Sequence, residues 1–158
     1  SLSRREADVA VMVGKPTEPQ LYFESLGIYR LGLYASRDYA ERHGLPERID
    51  QLPRHRLIGY VEDLLFSERL NVARNVWSSW QSNIAISSPV GQVAAVKVGL
   101  GIGVLHDFLL DDNDDLLPVF PDLDLSREFF LVWHPNIDRI PRIHTVLDFM
   151  RSLRNAVH

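Results

Sequence analysis

Short apolar runs, each long enough for one buried strand, recur along the chain between polar segments. Their β-branched, nearly continuous apolar character is typical of strands in a mostly parallel sheet. Pro118 interrupts one run, which predicts an edge strand at that point because proline cannot donate to a strand ladder. The predicted strands lie in "ADVAVMVG", "YRLGLYAS", "RLIGYV", "NIAIS", "GIGVL", "LLPVFPDL" and "REFFLVWHP".

Helical signals lie between these runs. Residues 38–43 are followed by Gly44, and residues 90–98 carry small side chains suited to close packing on a sheet. In residues 139–154 the apolar positions fall at helical spacing, with arginines outside and in the last turn. The segment "HDFLLDD" predicts a further short helix, and "SERLNVARNVWSSW" a weak helix or an irregular segment. Strands that alternate with helices indicate an α/β fold.

Three glycines, Gly99, Gly101 and Gly103, resemble a dinucleotide-binding loop at first sight. In such a loop the glycines precede the helix whose N-terminus holds the pyrophosphate, whereas here they follow the helix. Gly99 suits the left-handed residue that ends a helix, and "GIGVL" then predicts the next buried strand. The sequence therefore predicts no nucleotide cofactor, and no other cofactor is indicated.

The other end of this helix carries more chemistry. Ser87 and Ser88 are good N-cap residues, and Pro89 suits the first helical position, where its missing N–H costs nothing. Free backbone N–H groups at a helix start that follows a strand can bind a carboxylate or another small anion. The alternative is an ordinary capped helix that faces solvent.

Composition narrows the function classes. The chain has 158 residues, enough for one domain or two small lobes, with 46% hydrophobic and 24% charged residues. A formal net charge of -4 gives no reason to seek nucleic acid, and the absence of cysteine excludes thiol catalysis, disulfides and thiolate metal sites. Without an apolar run of membrane-spanning length or a signal peptide, we expect a cytoplasmic protein that makes no membrane contact.

Catalytic and metal motifs are weak. The acidic run at residues 111–115 lacks the glycine and the closing glutamate of a calcium loop, and predicts a solvated loop cap. The six histidines lack zinc-site spacing, and no nucleophile elbow occurs. We therefore expect no enzyme, no catalytic residue and no metal site. His106 directly follows a strand, where open α/β sheets place ligands, and either donates to a bound anion or is satisfied by local backbone.

Taken in order, the segments "READVAVMVG", "YRLGLYASRDYAERHG", "HRLIGY", "SSPVGQVAAVKVGLGIGVLHDFL", "LLPVFPDL" and "LVWHPNIDRIPRIHTVLDFMRSL" span nearly the whole chain. Their order and spacing resemble the C-terminal effector-binding domain of LysR-type transcriptional regulators. The resemblance implies a fold like the type 2 periplasmic binding proteins, in which two Rossmann-like α/β subdomains are joined by two crossover strands and hold a small effector in the cleft.

The resemblance also implies boundaries. With crossovers at "LGLYAS" and "FFLVWH", regulatory subdomain I comprises residues 1–34 and 127–158, and regulatory subdomain II comprises residues 35–126. In the family a strand, a helix and a further strand precede "ADVAV", so subdomain I is expected to be incomplete. DNA binding is expected only through an N-terminal helix-turn-helix domain that this sequence lacks.

The family pattern places three groups of residues on the effector cleft. At two positions this chain departs from it: Met12 stands where arginine is frequent, which weakens the case for a strongly acidic effector, and His106 stands where proline is frequent and could replace some positive character. The expected effector-binding residues are Met12, Val13, Gly14, Tyr60, Val61, Glu62, Ser87, Ser88, Pro89 and His106.

Two other classes remain open at this stage: a free-standing or periplasmic solute-binding protein of the same fold, and an enzyme built on it. We further expect a homodimer or a higher homo-oligomer, as is common in the family. The final helix is expected to pack on the same sheet as "ADVAVMVG", because the second crossover returns the chain to subdomain I. The effector, the promoter, and activation or repression are not encoded in any motif.

Overall fold

The computed structural model describes residues 7–64, 70–137 and 139–154. The chain divides into two compact units. The first unit comprises residues 1–29 and 127–158, and the second comprises residues 30–126. The first boundary thus follows residue 29, whereas the sequence analysis placed it after residue 34.

The first unit contains a sheet of three strands in the order β1, β8, β2. Strand β1 is Val9–Val13, β2 is Tyr22–Tyr29 and β8 is Arg127–Trp133. Both pairings are antiparallel, so the expected parallel arrangement is wrong for this unit. Neighbouring parallel strands need a crossover of a dozen or more residues, which is usually helical. In this sheet β1 and β2 are joined by a short connection and are not neighbours, because each of them pairs with β8. The sequence analysis also missed β2.

The last helix, α4, is Pro141–Leu153 and covers this three-stranded sheet. Its buried residues Ile143 and Leu147 form one apolar cluster with Leu131 and Trp133 of β8, against which Val9 also packs. This confirms that the C-terminal helix shares a sheet with "ADVAVMVG". An ion pair from Arg151 Nε to Glu24 Oε1, 2.7 Å long, joins the end of α4 to β2.

The second unit contains a mixed five-stranded sheet in the order β5, β4, β6, β3, β7. Strands β5, β4 and β6 are parallel, whereas β3 pairs antiparallel with both β6 and β7, so the mostly parallel sheet expected from the sequence is limited to three strands. The edge position of β7, which contains Pro118, confirms the prediction for that segment. The bounds are Leu31–Ser36 for β3, Leu57–Gly59 for β4, Ile84–Ala85 for β5, Ile102–His106 for β6 and Leu116–Val119 for β7.

Among the described residues of the second unit, the α-helices are α1, Arg37–His43; α2, Ala73–Val76; and α3, Pro89–Lys97. Helix α3 packs Val93 and Val96 on Ile58 and Leu105 of the sheet, as its small and β-branched residues predict. The predicted short helix "HDFLLDD" is a single 3-10 turn, Asp107–Leu109. Other 3-10 turns are Ile49–Arg54, Glu62–Leu64 and, in the first unit, Pro135–Ile137.

Two glycines that follow α3 are required by the backbone. Gly99 has φ of 76°, the left-handed conformation that ends a helix. At Gly101 a Cβ atom would overlap the carbonyl oxygen of Arg56, because β6 begins in close contact with the residue before β4. Both serve the fold, which agrees with the sequence interpretation that they are not a cofactor loop.

Candidate functional site

The three parallel strands of the second unit end at one edge of the sheet. Gly59 pairs with Ala85, and the N–H of Ile86 donates to the carbonyl of Gly59 at 2.8 Å. The residues that follow β4 and β5, together with the last residue of β6, therefore share this edge. The sequence-predicted residues of this unit that come together there are Tyr60, Val61, Glu62, Ser87, Ser88, Pro89 and His106.

Helix α3 starts at this edge. The Oγ of Ser88 accepts a hydrogen bond from the N–H of Gly91 at 3.4 Å, and Pro89 occupies the first turn as predicted. The N–H of Val90 has no helical acceptor, because the first-turn N–H groups of any helix lack one. Ser87 and Ser88 are exposed, so the start of the helix is accessible to a ligand. The partial positive charge of the helix N-terminus favours an anion.

A buried amide fixes the start of α3 to strand β5. Gln92 is 2% exposed, and its Nε2 donates to the carbonyl of Ile86 at 2.8 Å. The hydrogen bond holds the turn between strand and helix in one geometry. Sequence reasoning missed Gln92 because a glutamine in a helix carries no positional signal of its own.

An arginine that the sequence analysis did not identify also reaches this edge. The guanidinium of Arg74 contacts both carboxylate oxygens of Glu62, through Nη2 at 2.8 and 3.0 Å and through Nε at 3.2 Å. Asn71 adds a longer contact of 3.5 Å to Glu62. The negative charge of Glu62 is therefore compensated. No local pattern could pair these residues, since twelve positions separate Glu62 from Arg74.

Two partly buried side chains at the edge are hydrogen-bonding groups without net charge at neutral pH. Burial raises the pKa of the Tyr60 hydroxyl, so it keeps its proton. Burial also lowers the pKa of His106, and the neighbouring charge of Asp107 only partly opposes this. Both effects of burial favour the neutral form, so a lowered pKa disfavours the positive character expected of His106.

The other three sequence-predicted residues belong to the first unit. Met12 and Val13 end β1 opposite Phe130 and Phe129 of β8. Gly14 has φ of 77°, and its N–H donates to the carbonyl of Glu128 at 2.9 Å. These residues end a strand, as the sequence analysis expected of them.

Two of the cavities in the second unit are lined by none of the sequence-predicted effector residues. The first, of about 240 Å³, lies along β3 and residues 118–126. At its wall the hydroxyl of Tyr34 donates to Asp107 Oδ1 at 3.1 Å, and burial, followed by the charge of Asp107, raises the pKa of Tyr34. The second, of about 380 Å³, is lined by Tyr39, His43, Pro53, Arg54, His55, Arg56 and Asn83.

The carboxylates of the acidic run stabilise their own loop. Asp114 accepts from the N–H of Asp111 at 3.0 Å and pairs with Lys97, which lowers the pKa of Asp114. Asp115 pairs with Arg37 at 2.7 Å. Within residues 7–64, 70–137 and 139–154, no group of three histidine, aspartate or glutamate side chains is arranged to hold a metal ion. Nor is any helix in the described part of the chain long and apolar enough to cross a membrane.

Curated relatives of this chain are transcriptional regulators. The HTH-type transcriptional regulator CrgA of Neisseria meningitidis serogroup C is 25% identical over 164 residues, which cover 95% of this chain and 52% of that protein. An uncharacterized HTH-type transcriptional regulator of Haemophilus influenzae is 25% identical over 145 residues, or 85% of this chain and 48% of that protein. The chain thus spans about half the length of these relatives.

Solved structures agree on the fold. The CrgA regulatory domain from Neisseria meningitidis superposes with a TM-score of 0.73 at 24% identity, covering 96% of this chain and 77% of that chain. The regulatory domain of AphB from Vibrio vulnificus gives a TM-score of 0.72 at 18% identity over 96% and 77% of the two chains. These likenesses confirm the fold class expected from the sequence, the α/β regulatory-domain fold of the periplasmic-binding-protein type.

A family match covers almost the entire sequence. Residues 1–154 match the LysR substrate binding domain. The relatives that share this domain are regulators rather than enzymes, and the solved neighbours share its fold. This chain therefore belongs to the LysR substrate binding domain family.

Proposed function

We propose that this chain senses a small anionic effector for a LysR-type regulator, at the sheet edge where α3 begins. The observation that carries the proposal is the convergence of three parallel strand ends with the capped start of α3. The family match supports an effector-binding domain, and the local geometry supports an anion as the ligand.

In this proposal the effector carboxylate accepts a hydrogen bond from the N–H of Val90 at the start of α3, next to the N–H of Gly91 that donates to the Oγ of Ser88. The hydroxyl of Tyr60 and the ring of His106 add neutral hydrogen bonds beside it. The helix terminus contributes about 0.3 to 1 kcal/mol when exposed and up to about 2 kcal/mol when partly buried. Such a contribution orients a ligand more than it anchors one, so binding by this chain is expected to be weak.

In this proposal Arg74 changes its partner when an anion binds. A bound anion next to Glu62 competes with that carboxylate for the guanidinium, which now holds Glu62 at 2.8 Å. Exposed ion pairs contribute little to stability, so the exchange costs little. We propose that this exchange couples effector binding to the segment that carries Arg74.

The partners follow from the family. We propose a homodimer or higher homo-oligomer that acts in the cytoplasm, and DNA binding by a helix-turn-helix domain outside these 158 residues. Light scattering across a wide range of concentrations tests the association, and a monomer throughout would contradict it. No nucleic-acid contact is proposed for this chain itself, which carries a formal net charge of -4.

Isothermal titration tests the site. Acetate, succinate and benzoate are titrated into the chain and into its Ser88→Ala and Ser152→Ala variants. Ser88 caps α3, whereas Ser152 is exposed on α4 of the first unit, which makes Ser152→Ala the control. We expect weaker binding in Ser88→Ala only. Equal affinities in all three proteins, or a loss in Ser152→Ala alone, would contradict the assignment.

A further inference from the structure

The cavity of about 380 Å³ in the second unit lies at the sheet edge opposite the proposed effector site. Arg56 directly precedes β4, and Asn83 directly precedes β5, so both lie at the amino ends of the parallel strands. Residues of α1 and of the 3-10 turn Ile49–Arg54 complete the wall. With about 380 Å³, the cavity is large enough for a small organic ligand.

The lining is basic. Two arginines and two histidines are among the residues that line the cavity, and none of the described lining residues is acidic: Arg54, Arg56, His43 and His55. The nearby carboxylate of Asp50 is held by Arg48, through bonds of 3.0 and 3.1 Å. Neither Arg54 nor Arg56 forms an ion pair with any residue in the described part of the chain. The charge of Arg54 helps Arg48 to lower the pKa of Asp50, but the guanidinium of Arg54 makes no direct contact with that carboxylate. Both arginines can therefore pair with a ligand.

Hydrogen bonds behind the wall hold the polar side chains of the cavity in place. The buried hydroxyl of Tyr39 accepts from the N–H of Arg56 at 3.2 Å and shares a hydrogen bond of 3.1 Å with Nδ1 of His55. In the tautomer of His55 that accepts from Tyr39, the neutral ring carries its proton on Nε2 and can donate it to a ligand. In the same way, Oδ1 of Asn83 accepts from the N–H of Leu57 at 2.8 Å, which leaves its amide NH₂ as a donor.

We propose that this cavity binds a phosphate-type oxyanion, either free or carried on a small organic group. Arginine guanidinium groups match the oxygens of phosphate, and the amide NH₂ of Asn83 and the ring of His55 add neutral hydrogen bonds. The site is independent of the effector site, because it shares no residue with it and lies at the other ends of the strands.

Binding is measured by isothermal titration of the chain with inorganic phosphate and, separately, with phenyl phosphate. Binding of phosphate alone indicates a free oxyanion, and tighter binding of phenyl phosphate indicates an ester. We expect Arg54→Gln and Arg56→Gln each to weaken binding about tenfold, because each removes a charge-assisted hydrogen bond. Arg37→Gln is the control, since Arg37 is exposed, pairs with Asp115 and lies outside the cavity.

Asn83→Asp separates binding from folding. The aspartate keeps an oxygen to accept from Leu57, but it replaces the amide donor with a negative charge that repels an oxyanion. We expect this variant to fold and to lose phosphate binding. Histidine ring NMR gives a second readout: burial and then the charge of His43 lower the pKa of His55, and a bound oxyanion should raise it again. No binding of either probe, or equal loss in Arg37→Gln, would overturn the proposal.

Discussion

Replacing Gly101 with alanine tests why the second unit needs glycine directly before β6. A methyl group there would overlap the carbonyl oxygen of Arg56 and lie within 3.0 Å of its carbonyl carbon. That oxygen accepts from the N–H of Ile102 at 2.8 Å, the hydrogen bond with which β4 and β6 begin to pair. The backbone must therefore move, and no side chain can rotate to make room.

Two costs add up to the expected loss in the free energy of unfolding. The hydrogen bond contributes about 1 kcal/mol, and forcing a methyl group into packed backbone typically costs about 1 to 3 kcal/mol. We expect Gly101→Ala to lower the free energy of unfolding of this unit by about 3 kcal/mol. At Gly103 a Cβ would lie 3.0 Å from Cγ2 of Val96, a side-chain atom that can shift, so Gly103→Ala should cost only about 1 kcal/mol.

Native-state hydrogen exchange of the β6 amides measures the stability of the second unit by itself in both variants. Faster exchange throughout β6 in Gly101→Ala, with a smaller effect in Gly103→Ala, is the expected result. If Gly101→Ala exchanged like the unmodified chain, or if Gly103→Ala were the more damaging change, the close approach of the two backbones would not be the reason for glycine.

Three further substitutions have specific expected outcomes. Ser88→Ala should lower the free energy of unfolding by about 0.5 kcal/mol in a urea titration. This is less than the loss of an N-cap usually costs, because the capping hydrogen bond is long at 3.4 Å. Ser87→Ala should change nothing measurable. Leu147→Ala, at a fully buried site, should cost about 3 kcal/mol, and Val146→Ala, 45% exposed, less than about 0.5 kcal/mol; similar costs would contradict the α4 packing. Burial lowers the pKa of His106 in the folded chain from 6.5, so on acidification the unfolded chain takes up the proton first. The free energy of unfolding should therefore decrease as the pH is lowered through about 6.5, and it should decrease less in His106→Gln. Equal pH dependence of the two proteins would refute this.

Local sequence patterns predicted the boundaries that depend on one or two residues. Ser88, Pro89 and Gly99 define both ends of the α3 region because capping, proline and left-handed backbone are local effects. The burial of Ile143 and Leu147 followed from helical spacing in the same way. Pro118 marked an edge strand because it cannot donate a hydrogen bond.

Features that depend on contacts distant in sequence were missed. Strand β2 mixes charged, polar and glycine positions, and its pairing with β8 joins residues about a hundred positions apart, so no local run identified it. The antiparallel pairings of β3 depend on topology in the same way. At the candidate site, Arg74 reaches Glu62 only through the fold, and the basic cavity combines residues from α1, a 3-10 turn and the start of two strands.

The central claim, that a small anion binds where α3 begins, is tested most directly by NMR of the ¹⁵N-labelled chain during titration with acetate, succinate and benzoate. We expect at least one of these carboxylates to shift the amide signals of Val90 and Gly91, together with signals of Tyr60 and His106. If all three carboxylates leave these signals unchanged, or shift only signals elsewhere in the chain, the proposed effector site is contradicted.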